Sequence, residues 1–418
     1  NPRHARRSLA ANSTSPHNPR MPTTRTAGRR PFAVFLSGSL VSWVGDWMDL
    51  TALNWAVLQL TDSPLDLGII NACRLAPIFL LSIPAGVLAD RYDRRKLLIV
   101  LQLGLMLLTF AVGALFAARS GFWIFAGIVT VRSALAAMVL PIRNAVLPSL
   151  VEPRSQARAI ALQTAALNLS RIVGPAIAGF LLAWLATEYV FWINGASFLL
   201  VLATTWYVRP TPPDRSGPKT GVFAELREAF GYIRHNRLVR SLLVLAIVPM
   251  VFGFPYTALM PLFARDLFEL GPEGFGMLLS VSGGGSLTGA LWLSFTGGRG
   301  SSGPRLIGSI LVFGLALLAS MFATGFWMAA VMMFVVGWSS QSYRTLSRIT
   351  LLAEVPDRLR GRILSIALLD RGFIPLGALI LGAIAESLST RAAGIVMGTA
   401  CIGLTLLVSA IDRRIWRI

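Results

Sequence analysis

Apolar segments of about twenty residues recur twelve times along this chain, parted by short polar turns, and that repetition leaves few folds open. In hydrocarbon each backbone polar group has to be bonded within its own segment, which an α-helix does and an open strand cannot. The predicted spans are 32–60, 66–88, 97–117, 121–149, 157–185, 189–208, 241–264, 272–296, 304–322, 325–352, 360–385 and 391–411. Barrel strands would alternate in hydrophobicity over about ten residues, and these do not. A composition 55% hydrophobic and only 14% charged is too apolar for a water-soluble globule. The expected fold class is therefore all-α integral membrane, with twelve transmembrane helices in two pseudo-symmetric six-helix bundles.

Charge sets the sidedness. Counting residues at the very ends of spans with the turns, 28 of the 38 Lys and Arg residues fall on the side that carries both termini, Arg119, Arg265 and Arg391 fall on the other, and 7 lie deep within the spans. Retained basic loops mark the cytoplasmic face, so both termini are expected there, in the plasma membrane of a bacterium. The net charge of +19 is spread over many loops and both tails, which points to anionic membrane lipids as a partner and not to nucleic acid. Residues 1–31 contain seven arginines and no acid and read as a disordered cytoplasmic tail, with Met21 a candidate start. Residues 32–208 form the first bundle and 241–411 the second. Between them, 209–240 reads as a cytoplasmic linker ending in an amphipathic helix with Phe223, Leu226, Phe230 and Ile233 on one face. Residues 412–418 form a short tail. Val151, Arg154 and Arg158 recur as Val355, Arg358 and Arg362, a displacement of 204 positions that a duplicated six-helix unit would leave.

Ionisable residues within spans are costly and serve as candidate functional sites. Asp46 and Asp49 are the carboxylates well inside the first bundle, about 60° apart around their helix, with Asn54 further along. They are candidates to load and release a proton, or else one or both pair with Arg74, Arg132 or Arg171. Asp370 and Arg371 are adjacent in the eleventh span, where they meet a solute or hold that helix through Arg344 or Arg348. Trp43 and Tyr256 are aromatic candidates for lining a pocket. Gly174-Pro175 is expected to bend the fifth span. The histidines lie outside the spans, so proton relay falls to a carboxylate. No HExxH, GxSxG or phosphate-loop pattern is present, and no enzyme activity, cofactor or metal is expected.

The turn GVLADRYDRRK, after the second span, resembles the signature turn of the major facilitator superfamily. Gly86, Asp90, Arg91, Arg94 and Arg95 fall on its motif positions, which the resemblance makes a cytoplasmic gate latch; a positive-inside anchor would need no more than the charge. PIRNAVLPSLV, VEPRSQARAIALQTAALNLSRIVGPAIAGF and VPDRLRGRILS are similar to the macrolide, siderophore and multidrug exporters of the drug:proton antiporter-3 type, a likeness running from Phe32 to the end. It places Gly174, Pro175 and Gly179 on an antiporter motif and Arg132 on a proton-coupling position, although Ala136 stands where a glycine is usual. The second copy of the signature turn, near SFTGGRGSSGPR, has no acid. The resemblance implies a proton-coupled exporter of a small amphipathic compound, acting as a monomer by alternating access. Other readings are a lysophospholipid or lipid transporter and a non-transporting membrane sensor.

Overall fold

The computed structural model describes residues 29–207, 222–296 and 302–418. Most of the basic N-terminal tail, the PTPPDRSGPKT linker and residues 297–301 of the second signature turn lie outside the described residues. So do the side chains of 82–91, which include Gly86, Asp90 and Arg91.

The first six helices are α1 (Arg29–Thr61), α2 (Pro64–Arg91), α3 (Arg94–Ala117), α4 (Phe122–Ser149), α5 (Gln156–Trp184) and α6 (Thr187–Tyr207). The short α7 (Val222–His235) and α8 (Arg237–Phe252), α9 (Tyr256–Leu262), α10 (Pro272–Thr296) and α11 (Ser302–Ser320) follow. The last are α12 (Phe326–Glu354), α13 (Asp357–Ala367), α14 (Ile374–Ser387) and α15 (Thr390–Ile411). Short side chains set several starts. Asp93 accepts bonds from the Arg95 and Lys96 amides to cap α3, Asn236 caps α8 through the Val239 amide, and Ser389 caps α15 through Ala392.

Two predicted spans turn out to be broken. The seventh consists of α8, a turn at 253–255, α9 and a π-turn over Phe263–Leu267. Pro249, Pro255 and Pro261 each withhold an amide, so a regular helix cannot run through. The eleventh is α13, a 3₁₀ segment over Leu368–Phe373, and α14. Pro375 cannot bond the carbonyl of Arg371 one turn back, and the Ile374 amide takes that carbonyl in a tighter turn instead. Asp370 and Arg371 therefore sit on an interrupted helix rather than a continuous one. Pro175, by contrast, lies within an unbroken α5.

Helix pairing displays the duplication. In the first half α2 packs on α4, α3 on both α4 and α6, and α1 on α5 and α6. Advancing each by six spans gives α10 on α12, α11 on α12 and α15, and α8 on α14 and α15, and all of these pairs are observed. The halves meet along two seams, α2 with α14 and α5 with α10, which the same operation exchanges. The fold is thus twelve transmembrane helices in two pseudo-symmetric bundles. Eight spans are apolar enough to cross a bilayer on composition alone. Of the other long helices, α1 and α12 are the more polar, and they carry Asp46, Asp49, Arg344 and Arg348.

The seams are tight toward the end bearing loops 62–63, 268–271 and 388–389. A Cβ on Gly68 would lie 2.6 Å from the Ala378 carbonyl oxygen, one on Gly179 would lie 2.7 Å from that of Pro272, and one on Gly276 would strike that of Pro175. Trp55 stacks on Phe275 with ring centroids 6.0 Å apart. At this end Arg265 pairs with Asp62 across the halves and Asp266 accepts from Thr390. Glu386 accepts from the Ser63 hydroxyl at 3.0 Å. At the opposite end most of α5 from Ala157 to Leu169 is exposed, Ala159 and Ala166 excepted, as are five of the eleven residues of α13, so that end is the more splayed. α7 docks on the second half, its Glu228 accepting from Arg358 and Arg362, two of the repeated turn residues.

Gly276→Leu should wedge α5 from α10 and cost about 1–3 kcal/mol by overpacking, read as a lower midpoint of thermal unfolding in detergent. Gly284→Ala, on the same helix but with no atom within 4 Å of the added carbon, should leave the midpoint unchanged.

Candidate transport site

Asp49 of α1 and Arg132 of α4 form a bidentate ion pair, Nη1 donating to Oδ1 at 2.6 Å and Nη2 to Oδ2 at 2.7 Å. Both residues are 7% exposed. The parallel N–H···O bonds satisfy most of what either group requires in a dry interior. Of the pairings open to the two carboxylates in the sequence, this one is realised, and by Asp49 alone.

Asp46 differs. It lies in mid-span, yet it is exposed and makes no hydrogen bond or ion pair among the described residues. Gly38 and Gly45 of α1 abut α6, and Val44 with Trp47 abuts α5 at Gly174. Asp46 lies on a face of α1 that meets neither of these neighbours. The charge acting on it most strongly is Arg143 of α4, followed by Asp49, Arg132 and Arg74.

Arg143 is the residue that the sequence reading did not single out. It is 4% exposed, its guanidinium lies 5.7 Å from the ring of Trp43, and its Nε has no hydrogen-bond partner. Eleven residues past Arg132, it returns to nearly the same face of α4, three turns along, and that spacing is the signal that marks it. Trp43, itself buried, serves as the platform for this cation.

The second half contributes a matching set. Arg344 of α12 lies 5.1 Å over the Phe254 ring, donates to Gln341, and has an unpartnered Nε. Asp370 is half-buried with one oxygen unpartnered, and it stands among Arg371, Arg348 and Arg344. Arg371 and Arg348 are exposed. Arg171 of α5, 5.7 Å over the Trp47 ring, acts electrostatically on both Arg344 and Arg371, which ties the two halves into one charged environment. Arg74 is half-buried with its Nε unpartnered.

Other candidates lie elsewhere. Asn54 is fully buried, accepts from Asn71 at 2.8 Å and reaches the Thr257 carbonyl at 3.5 Å, at the tight part of the seam. Tyr256 is 1% exposed, shares a hydrogen bond with Ser282 at 2.7 Å and packs on Phe313. Gly174 is the point where α5 meets Trp47 of α1, and Gly179 with Pro175 is where it meets α10. Of the signature turn, Arg94 opens α3, and Arg95 lies over the ring of Trp206 and donates to its carbonyl, within the first half.

The helices thus bring together, from two repeated halves, a set of charged side chains at membrane depth. Relatives and solved structures agree with that architecture. The staphyloferrin A transporter of Staphylococcus aureus is 31% identical, over 91% of this chain and 96% of that protein. The multidrug efflux pump Tap of Mycolicibacterium fortuitum is 24% identical, over 87% of this chain and 91% of its own. The crystal structure of the nucleoside transporter NupG superposes with a TM-score of 0.74 at 14% identity, covering 93% of this chain and 99% of that one. A family model described as transmembrane secretion effector matches residues 27–415, and the chain belongs to that family of major facilitator superfamily membrane transporters for small molecules.

Proposed function

We propose that the protein is a proton-coupled exporter of a small amphipathic solute, working by alternating access, with Asp46 as the group that gains and loses the proton. The observation that carries this reading is the contrast between the two carboxylates. Asp49 is locked to Arg132, whereas Asp46 is exposed at membrane depth with no ion pair. A carboxylate held by two short charge-assisted bonds is already taken by its arginine; one with no such partner is the group left to exchange a proton as access switches. The relatives named for multidrug efflux and for a siderophore support transport outward.

The distribution of Lys and Arg supports a cytoplasmic location for both termini and for the splayed end. The tight end then faces outward, closed by Arg265 with Asp62 and by Glu386 with Ser63. Those groups are largely exposed, and such pairs contribute only about 0–1 kcal/mol each, so they can be broken in a working cycle. Solute enters from the cytoplasm, the seams slide, and the outer end opens to exchange it for a proton.

In proteoliposomes, Asp46→Asn should lower pH-gradient-driven transport by about tenfold or more while ligand binding persists; undiminished driven transport by this variant would remove Asp46 from the mechanism. Asp49→Asn alone should cost about 3–5 kcal/mol of stability, because Arg132 is left buried and uncompensated, and Asp49→Leu with Arg132→Met should recover most of it. Asp62→Ala with Glu386→Ala should raise the outward-open population, read as faster labelling of a cysteine placed at the tight end. Unchanged labelling would count against a gate there.

A further inference from the structure

Away from the span ends lie 7 arginines and three carboxylates, Asp46, Asp49 and Asp370, and Asp49 is already committed to Arg132. We infer that the solute taken by this chamber is a small multiply charged oxyanion, bearing carboxylates or phosphates, and not a cationic drug. The inference rests on the transporter reading above and narrows its substrate.

Three features of the site converge on it. First, Arg171, Arg344 and Arg371 act on one another across the seam as like charges, with Asp370 alone beside them on the second half. Holding such a group together at membrane depth is expensive unless a negative partner enters. Second, the hydrogen-bonding capacity is incomplete at buried positions. Arg143, 4% exposed, has an unpartnered Nε, and so have Arg74 and Arg344. Third, the guanidinium planes are set by aromatic rings, Arg171 over Trp47 and Arg344 over Phe254. A stacked guanidinium keeps its N–H edge available, and that fork matches the two oxygens of a carboxylate or phosphate, while the rings offer a surface to the carbon skeleton. A chamber of one dominant sign also focuses its field, concentrating anions and repelling cations.

The sign has a consequence for energetics. Moving an anion out and a proton in both carry positive charge inward, so an inside-negative potential drives the cycle together with the pH gradient.

The test uses the full chain in detergent and in liposomes, with citrate, inorganic phosphate, lysophosphatidylglycerol and the cation ethidium as probes. One of the three anions should bind, read as a thermal shift, and ethidium should not. The preferred anion separates a carboxylate solute, a free phosphate and a lipid headgroup. Arg171→Gln and Arg371→Gln should each weaken that binding about tenfold, and the corresponding lysine variants by less; neither side chain is fully buried, so folding is retained. In liposomes holding the bound anion, its transport should accelerate when valinomycin and a potassium gradient impose a potential that drives anions out of the cytoplasmic side. Binding or transport of ethidium with no response to any anion overturns the inference and leaves the transporter reading intact. An anion that binds through these arginines but is never moved has the opposite meaning: the site stands and the transport reading fails.

Discussion

The cost of an uncompensated charge in hydrocarbon governs this structure. An ionised side chain at the bilayer centre costs at least about 2.5–3.5 kcal/mol, and more when it faces lipid directly, so every arginine and aspartate in the spans has to be directed inward. That requirement decides which helices face lipid. Apolar spans such as α3 and α15 face outward over much of their surface, whereas the charges lie on α1, α2, α4, α5, α12 and the break between α13 and α14. A two-half architecture suits that requirement, because charges are either paired inside one bundle, as Asp49 with Arg132, or left accessible, as Asp46, Arg348 and Arg371.

Much of this was legible in the sequence. Helix positions could be read because hydrocarbon tolerates one secondary structure, and all twelve predicted spans correspond to helical segments within a few residues. The breaks in the seventh and eleventh spans were less legible. Pro249, Pro255, Pro261 and Pro375 are visible in the chain, but a membrane helix often tolerates proline, and whether a freed carbonyl finds a tighter turn depends on neighbours.

The site was legible in part. Asp46, Asp49 and Arg132 stood out as rare charges, but which carboxylate takes the arginine depends on how α1 and α4 rotate against each other, and a wheel separation of about 60° leaves that open. The same holds for Tyr256, which looks like a pocket aromatic until Ser282 and Phe313 are seen to enclose it. Arg143 was counted among the intramembrane charges, but its pairing with the ring of Trp43 is a tertiary fact. The amphipathic α7 was evident from its periodicity, whereas the partner of Glu228, two arginines of the second repeated turn, required the fold.

The seams show how such a charged centre can remain mobile. If the halves were joined by interlocking side chains, sliding them would require many simultaneous rotamer changes, each opposed by close packing. Here the approach is backbone against backbone at Gly68, Gly179, Gly276 and Gly283, so the surfaces are smooth and carry little that must repack. The closing polar contacts at one end are exposed and individually weak. The strong buried pair, Asp49 with Arg132, lies within the first half and does not cross a seam. The strong ion pair thus stays inside one half and the polar contacts that close one end between the halves are weak, an ordering that suits the rocking proposed above.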